Sequence, residues 1–121
     1  MKIVILGAGH VGTSMAEILS LEANDVTLID CNANQLEGLQ DQLDIRTIVG
    51  NGPHPSILEQ AGIEDADLLL AVTDQDEVNM AACQIAHTLF RTPKKIARIR
   101  GTEYLTHPEI FCNESIPIDF I

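Results

Sequence analysis

The sequence predicts an α/β fold, a doubly wound parallel sheet of about six strands with helices on both faces. Three observations lead there. Short apolar runs alternate with stretches of helical periodicity. The early runs are almost continuously hydrophobic, as strands buried on both faces must be. A glycine-rich loop, Gly7-Ala8-Gly9-His10-Val11-Gly12, joins the first apolar run to the first helical stretch. The 121 residues make one domain, 1–121.

The elements follow in order. A strand is expected at Lys2–Leu6, then a helix with the stripe Val11, Met15, Ile18 and Leu19. A second strand, Asp25–Asp30, precedes a helix marked by Leu36, Leu39 and Leu43. The third strand is Ile45–Val49, and Pro55 to Ala61 reads as a short helix stopped by Gly62. After a fourth strand at Asp67–Val72 comes the longest stripe, Val78, Ala81, Ala82, Ile85, Ala86 and Leu89. Asp74-x-x-Glu77 in front of it resembles a capping box, and Pro93 limits its end. The fifth strand is Ile96–Arg100. A sixth is read from Ile116–Ile121. A chain ending on such an apolar run predicts an N-terminal fragment of a longer protein.

Charge excludes some functions. The net charge of −11 argues against nucleic acid and against anionic membrane surfaces. Five cations (Arg91, Lys94, Lys95, Arg98, Arg100) fall within residues 91–100, while residues 1–90 hold two against fourteen acids. Apolar runs of about five residues are far too short for direct membrane insertion. Three scattered cysteines with no CxxC suggest neither disulfides nor zinc, and predict a reducing, cytoplasmic setting.

The glycine loop is the main chemical signal. Its place between a buried strand and an amphipathic helix makes the first half a Rossmann-type βαβ unit. Gly7 is expected to turn the chain out of the strand, Gly9 to let a pyrophosphate approach the backbone, and Gly12 to let the helix pack on the sheet. First-turn N–H groups and the helix dipole then favour an anion. Asp30 lies eighteen residues beyond Gly12, where its carboxylate can accept both hydroxyls of a ribose. The plainer alternative is a packing turn with Asp30 as a cap. Cys31-Asn32-Ala33 offers no cation for a 2′-phosphate, so NAD(H) and ATP/ADP fit better than NADP.

Asn51, Thr73 and Asp74 follow strands and should reach the same carboxyl edge, or they are plain loop polarity. Arg98 and Arg100, two apart, should share one strand face at a phosphate site, or form surface ion pairs. Arg91, Lys94 and Lys95 read as a solvated turn. His10 and Val11 sit inside the loop, His10 either touching phosphate or opening the helix. Cys83 and His87 are four apart on a helix, but with no further ligand a core cysteine beside a surface histidine is favoured over a metal site. His54 and His107 have no visible partner. Tyr104 has Pro108 four residues on, so the Tyr-x-x-x-Lys pair of short-chain dehydrogenases is absent, and no nucleophile elbow appears. No catalytic set is expected.

Several segments resemble the TrkA family, cytosolic regulatory subunits of bacterial Trk potassium uptake systems. They are Met1-Lys2-Ile3-Val4-Ile5-Leu6-Gly7-Ala8-Gly9, Gly50-Asn51-Gly52 before His54-Pro55, Asp65-Ala66-Asp67, Asp76-Glu77-x-Asn79-Met80-Ala81-Ala82-Cys83-Gln84, and Ile96-Ala97-Arg98-Ile99-Arg100. The resemblance implies an RCK (KTN) domain that binds NAD(H) or ATP/ADP. It implies a ring of such domains, a homo-oligomer, beneath a Trk-type integral membrane channel subunit, peripheral on the inner face of the membrane. By the same resemblance Gly7, Gly9, Gly12 and Asp30 carry adenosine and pyrophosphate, and Arg98 and Arg100 approach terminal phosphates. Related domains often carry Gly-Asp where Gly50-Asn51 stands. Two functions of different class remain, a nucleotide sensor for potassium uptake and the cofactor half of an NAD-dependent dehydrogenase. The second needs a substrate region and an acid–base residue, and neither is evident.

Overall fold

The computed structural model describes all residues, 1–121. Five parallel strands form one sheet: β1 Lys2–Leu6, β2 Asp25–Asp30, β3 Arg46–Val49, β4 Leu68–Ala71 and β5 Lys94–Ala97. Their order is β3-β2-β1-β4-β5, so β1 is central and lies in register between β2 and β4, with Val4 beside both Thr27 and Leu69. The helices are α1 His10–Leu21, α2 Ala33–Leu36, α3 Leu39–Gln42, α4 Pro55–Gln60, α5 Asp76–Phe90 and α6 Thr102–Leu105. Two 3-10 turns cover Ile63–Asp65 and Pro108–Ile110.

Side chains alternate across a strand, and here the alternation builds a core on each face. Val4 and Leu6 of β1 join Leu69 and Ala71 of β4 beneath α4 and α5. Ile3 and Ile5 join Leu70, Val26 and Leu28 on the other face, beneath α1 and α2. Each of the fully buried Ile and Leu side chains contributes about 1.5–3 kcal/mol on leaving water. The near-continuous hydrophobicity of β1 is thus the signature of a strand covered twice.

The sheet has five strands, not the expected six. The run Ile116–Ile121 makes only an isolated parallel bridge, Ile96 to Phe120. Pro117 has no N–H to give a ladder, and Ile118 N turns back to Ile116 O at 2.9 Å. Other elements also depart from the periodicity. The helix expected through Leu36 and Leu43 is two short ones, parted at Gly38, which holds φ +80°. Of the expected α1 stripe, Met15 and Leu19 pack against the core, but Val11 and Ile18 do not. Only Gly12 and Ala16 are buried there, while Val11, Ile18 and Leu21 are 40%, 53% and 79% exposed. Two small residues four apart bring this helix close to the sheet, with Met15 and Leu19 packed beside them and the outer part of the stripe left in solvent. The long helix starts at Asp76 rather than Asp74, with no capping box. Asp76 and Glu77 are drawn instead to the chain after β5. Its buried face centres on Asn79, Ala82, Cys83 and Ala86, and Leu89 is exposed.

Lys95 is a further correction. It lies in β5, 3% exposed, rather than in a solvated turn. Its Nζ donates to Thr92 O at 2.9 Å and lies 3.5 Å from the Asp119 carboxylate. Strand alternation carries this side chain inward, and the final segment of the chain supplies its counter-charge.

Candidate functional site

A cleft of about 320 Å³ opens at the carboxyl ends of the central strands. Leu6, Gly7 and Gly9 form one edge, with Asp30, Cys31, Asn32 and Gln35 beside them. Asn51, Gly52 and Pro53 enter from the loop after β3. The opposite wall is Val72, Thr73, Asp74, Gln75, Val78 and Arg98.

The glycine loop is shaped by its neighbours. Gly7 holds φ +109°, and a Cβ there would lie 2.9 Å from Thr73 N, so both backbone and space require glycine. At Gly12 a Cβ would lie 1.7 Å from Gly7 O, so this glycine seats α1 against the turn. Gly9 differs. Its φ of −77° suits any residue, and nothing lies within 4 Å of a Cβ placed there. No side chain caps α1 and no acid occupies its first turn. Its first N–H groups and the positive end of its dipole therefore remain available.

Asp30 ties the loop to the end of β2. One carboxylate oxygen accepts from Ala8 N at 2.7 Å and the other from Asn32 N at 2.8 Å. Each oxygen keeps a further lone pair for a ligand hydroxyl. Arg98 is the only cation of the lining, against Asp30 and Asp74. Its Nη2 and Nε donate to Thr73 O at 2.8 and 3.3 Å.

Eight of the twelve candidate residues line this cleft: Gly7, Gly9, Asp30, Cys31, Asn51, Thr73, Asp74 and Arg98. His10 and Val11 are exposed outside the lining, and Gly12 is buried behind it. Arg100 is not brought together with Arg98. It is exposed, and its backbone N–H is held by Asp76 Oδ1 at 3.1 Å. The strand that should have aligned the pair ends at Ala97. Cys83 is buried among apolar groups, which pushes its thiol up to about 12, with Lys95 opposing and Asp119 reinforcing the shift. No three His, Cys, Asp or Glu side chains gather where a metal could sit.

Comparison with known proteins adds the decisive observation. The profile of the TrkA-N domain matches residues 3–114. The Trk system potassium uptake protein TrkA of Halomonas elongata is 59% identical over 121 residues, all of this chain and 26% of its own length. The chain belongs to the TrkA-N domain family. It therefore spans about a quarter of this relative. Among solved structures, the Shewanella denitrificans Kef CTD in AMP bound form superimposes with a TM-score of 0.80 at 21% identity, covering 100% of this chain and 70% of that one. The GsuK channel bound to NAD gives 0.74 at 18% identity, covering 85% of this chain and 18% of that one. At such identities the likeness is one of fold.

In this TrkA-N domain several lining residues escaped sequence reasoning. Gly52, Pro53 and Gln75 reach the cleft on loops beyond the strand ends, and Gln35 and Val78 from the first turns of α2 and α5. Asn79 was legible as a polar residue amid an apolar stripe, a signal of a buried hydrogen-bonding task. No helix is long and apolar enough to cross a membrane.

Proposed function

We propose that this TrkA-N domain is a non-catalytic sensor of adenine nucleotides, NAD(H) or ATP/ADP, serving potassium uptake. The observation that carries the reading is Gly9. Nothing inside the fold demands glycine there, and the open space above it lies between the uncapped start of α1 and the Asp30 carboxylate. A pyrophosphate would fill that space while Asp30 accepts the ribose hydroxyls. The relative's name supplies the context, and the AMP and NAD in the titles of two fold neighbours support the ligand class. The partner is then a Trk-type membrane channel subunit at the cytoplasmic face, reached by a ring of such domains. Nucleotide shifts the packing between neighbours only as far as its affinity for the two arrangements differs.

The ionisable groups lining the cleft are Asp30, Cys31, Asp74 and Arg98, with no histidine, lysine or tyrosine to move a proton during hydride transfer. Calorimetric titration with NADH, NAD, ATP and ADP tests the reading, alongside thiol labelling. Cys31 is exposed at the cleft and Cys83 is buried, so bound nucleotide should slow alkylation of Cys31 in mass spectrometry. Absence of saturable binding by all four would overturn the reading. Turnover of NADH with a 2-keto acid would favour the dehydrogenase alternative.

A further inference from the structure

A fully buried asparagine stands behind one wall of the cleft and joins the segments that follow β4 and β5. Asn79 is 0% exposed, in the first turn of α5, where its residue type gains nothing from helix propensity. Its carboxamide uses its whole bonding capacity. Oδ1 accepts from Thr73 N at 2.9 Å and Thr73 Oγ1 at 2.7 Å. Nδ2 donates to Thr73 O at 3.1 Å and Arg98 O at 2.8 Å. Thr73 O also receives the Arg98 guanidinium, so Asn79 fixes both the backbone of Arg98 and the carbonyl on which its side chain rests. A completely satisfied buried network of this kind holds one geometry.

We propose that Asn79 is a positioning residue that sets the preference of the cleft for ligands carrying a second phosphate. The proposal rests on the nucleotide reading above. Phosphate next to the ribose meets the glycine loop, and charge extending beyond it finds one cationic side chain in the lining, Arg98. Asp74 stands on the same wall and repels an anion, so the aim of Arg98 decides the balance. Asn79 touches no ligand and acts through Thr73 and Arg98.

The test compares AMP with ADP by calorimetry in this chain and its variants. ADP should bind about tenfold tighter than AMP, the scale of a charge-assisted contact. Asn79→Leu keeps the side-chain volume and removes all four bonds. Its ADP preference should fall to about twofold or less, with AMP affinity within about threefold of the parent. Arg98→Ala should lose the same preference, and the double variant should lose no more. A folded Asn79→Leu that keeps the full preference overturns the proposal and leaves the nucleotide reading intact. AMP binding without any ADP preference in the parent does the same. No binding of either nucleotide overturns both. Should Asn79→Leu not fold, the parent still decides through the Asn79 side-chain amide resonances in NMR spectra. ADP should shift them well beyond the effect of AMP, and equal shifts reject the proposal.

Discussion

Tyr104 is the only tyrosine of a chain without tryptophan, so its phenol can be followed alone by ultraviolet absorbance. Its hydroxyl donates to Glu77 at 2.6 Å, tying α6 to the start of α5. That hydrogen bond lowers the Glu77 carboxyl and raises the Tyr104 phenol from their ordinary values. The signs define a window. A lowered carboxyl lends stability above the ordinary glutamate range and loses it as pH falls through the folded value. A raised phenol lends stability below the ordinary tyrosine range and loses it as pH climbs through the folded value. The link therefore holds between the two ranges and fails at both ends. Titration at 295 nm should place the Tyr104 midpoint above that of a free tyrosine, and Glu77→Gln should return it toward normal. An unchanged midpoint in that variant would show that the carboxylate is not the cause.

At the scale of elements, the seating of α1 separates two glycines that look alike in the loop. Gly12→Ala drives a methyl into Gly7 O and should destabilise the domain by about 2–4 kcal/mol, read from thermal or urea unfolding. Gly9→Ala meets no protein atom and should leave unfolding within about 0.5 kcal/mol of the parent, yet weaken nucleotide binding through lost access to the backbone. A Gly9→Ala variant with undiminished affinity would place the phosphates elsewhere. The same elements show what was legible in the sequence. Strands β1 and β4 announced themselves because burial on both faces leaves an almost unbroken apolar run, and in β2 only Thr27 interrupts it. Among the candidates that reach the cleft, Gly7, Gly9 and Asp30 followed from the glycine-loop pattern, and Asn51, Thr73 and Asp74 from the rule that ligands of such sheets meet the carboxyl ends of strands. The orientation of α1 was only half legible, because Met15 and Leu19 pack on the core while the closest approach to the sheet is made by the small Gly12 and Ala16. Arg100 was misplaced for a different reason. A strand pattern cannot reveal that the Asn79 carboxamide takes the Arg98 carbonyl and that the ladder stops. Lys95 was misread because its partner lies twenty-four residues away.

For the whole molecule, that partner matters. Asp119 accepts from Lys95 N at 2.7 Å, gives its own N–H to Lys95 O at 2.8 Å, and faces the buried ammonium. Asp119→Ala leaves Lys95 buried without its counter-charge and should cost about 2–3 kcal/mol in urea unfolding, discounted because the carboxylate side is 29% exposed. Combining it with Lys95→Met should recover most of that loss, since an apolar chain of similar volume has no charge to satisfy. A double variant as unstable as the single one would show that the backbone bonds matter more than the charge. The central position of β1 has a consequence for assembly in time. During synthesis β1 can pair with β2 within the first thirty residues, as both strands and the α1 crossover between them are then present. Its other neighbour, β4, arrives some forty residues later, and with it the Thr73 backbone against which Gly7 is moulded. Parallel pairing across such separations is slow, and the turn at Gly7 takes its final shape only once β4 is in place. On the proposed reading, nucleotide would stabilise the domain only after β4 has docked, so binding and that step of sheet assembly would be coupled.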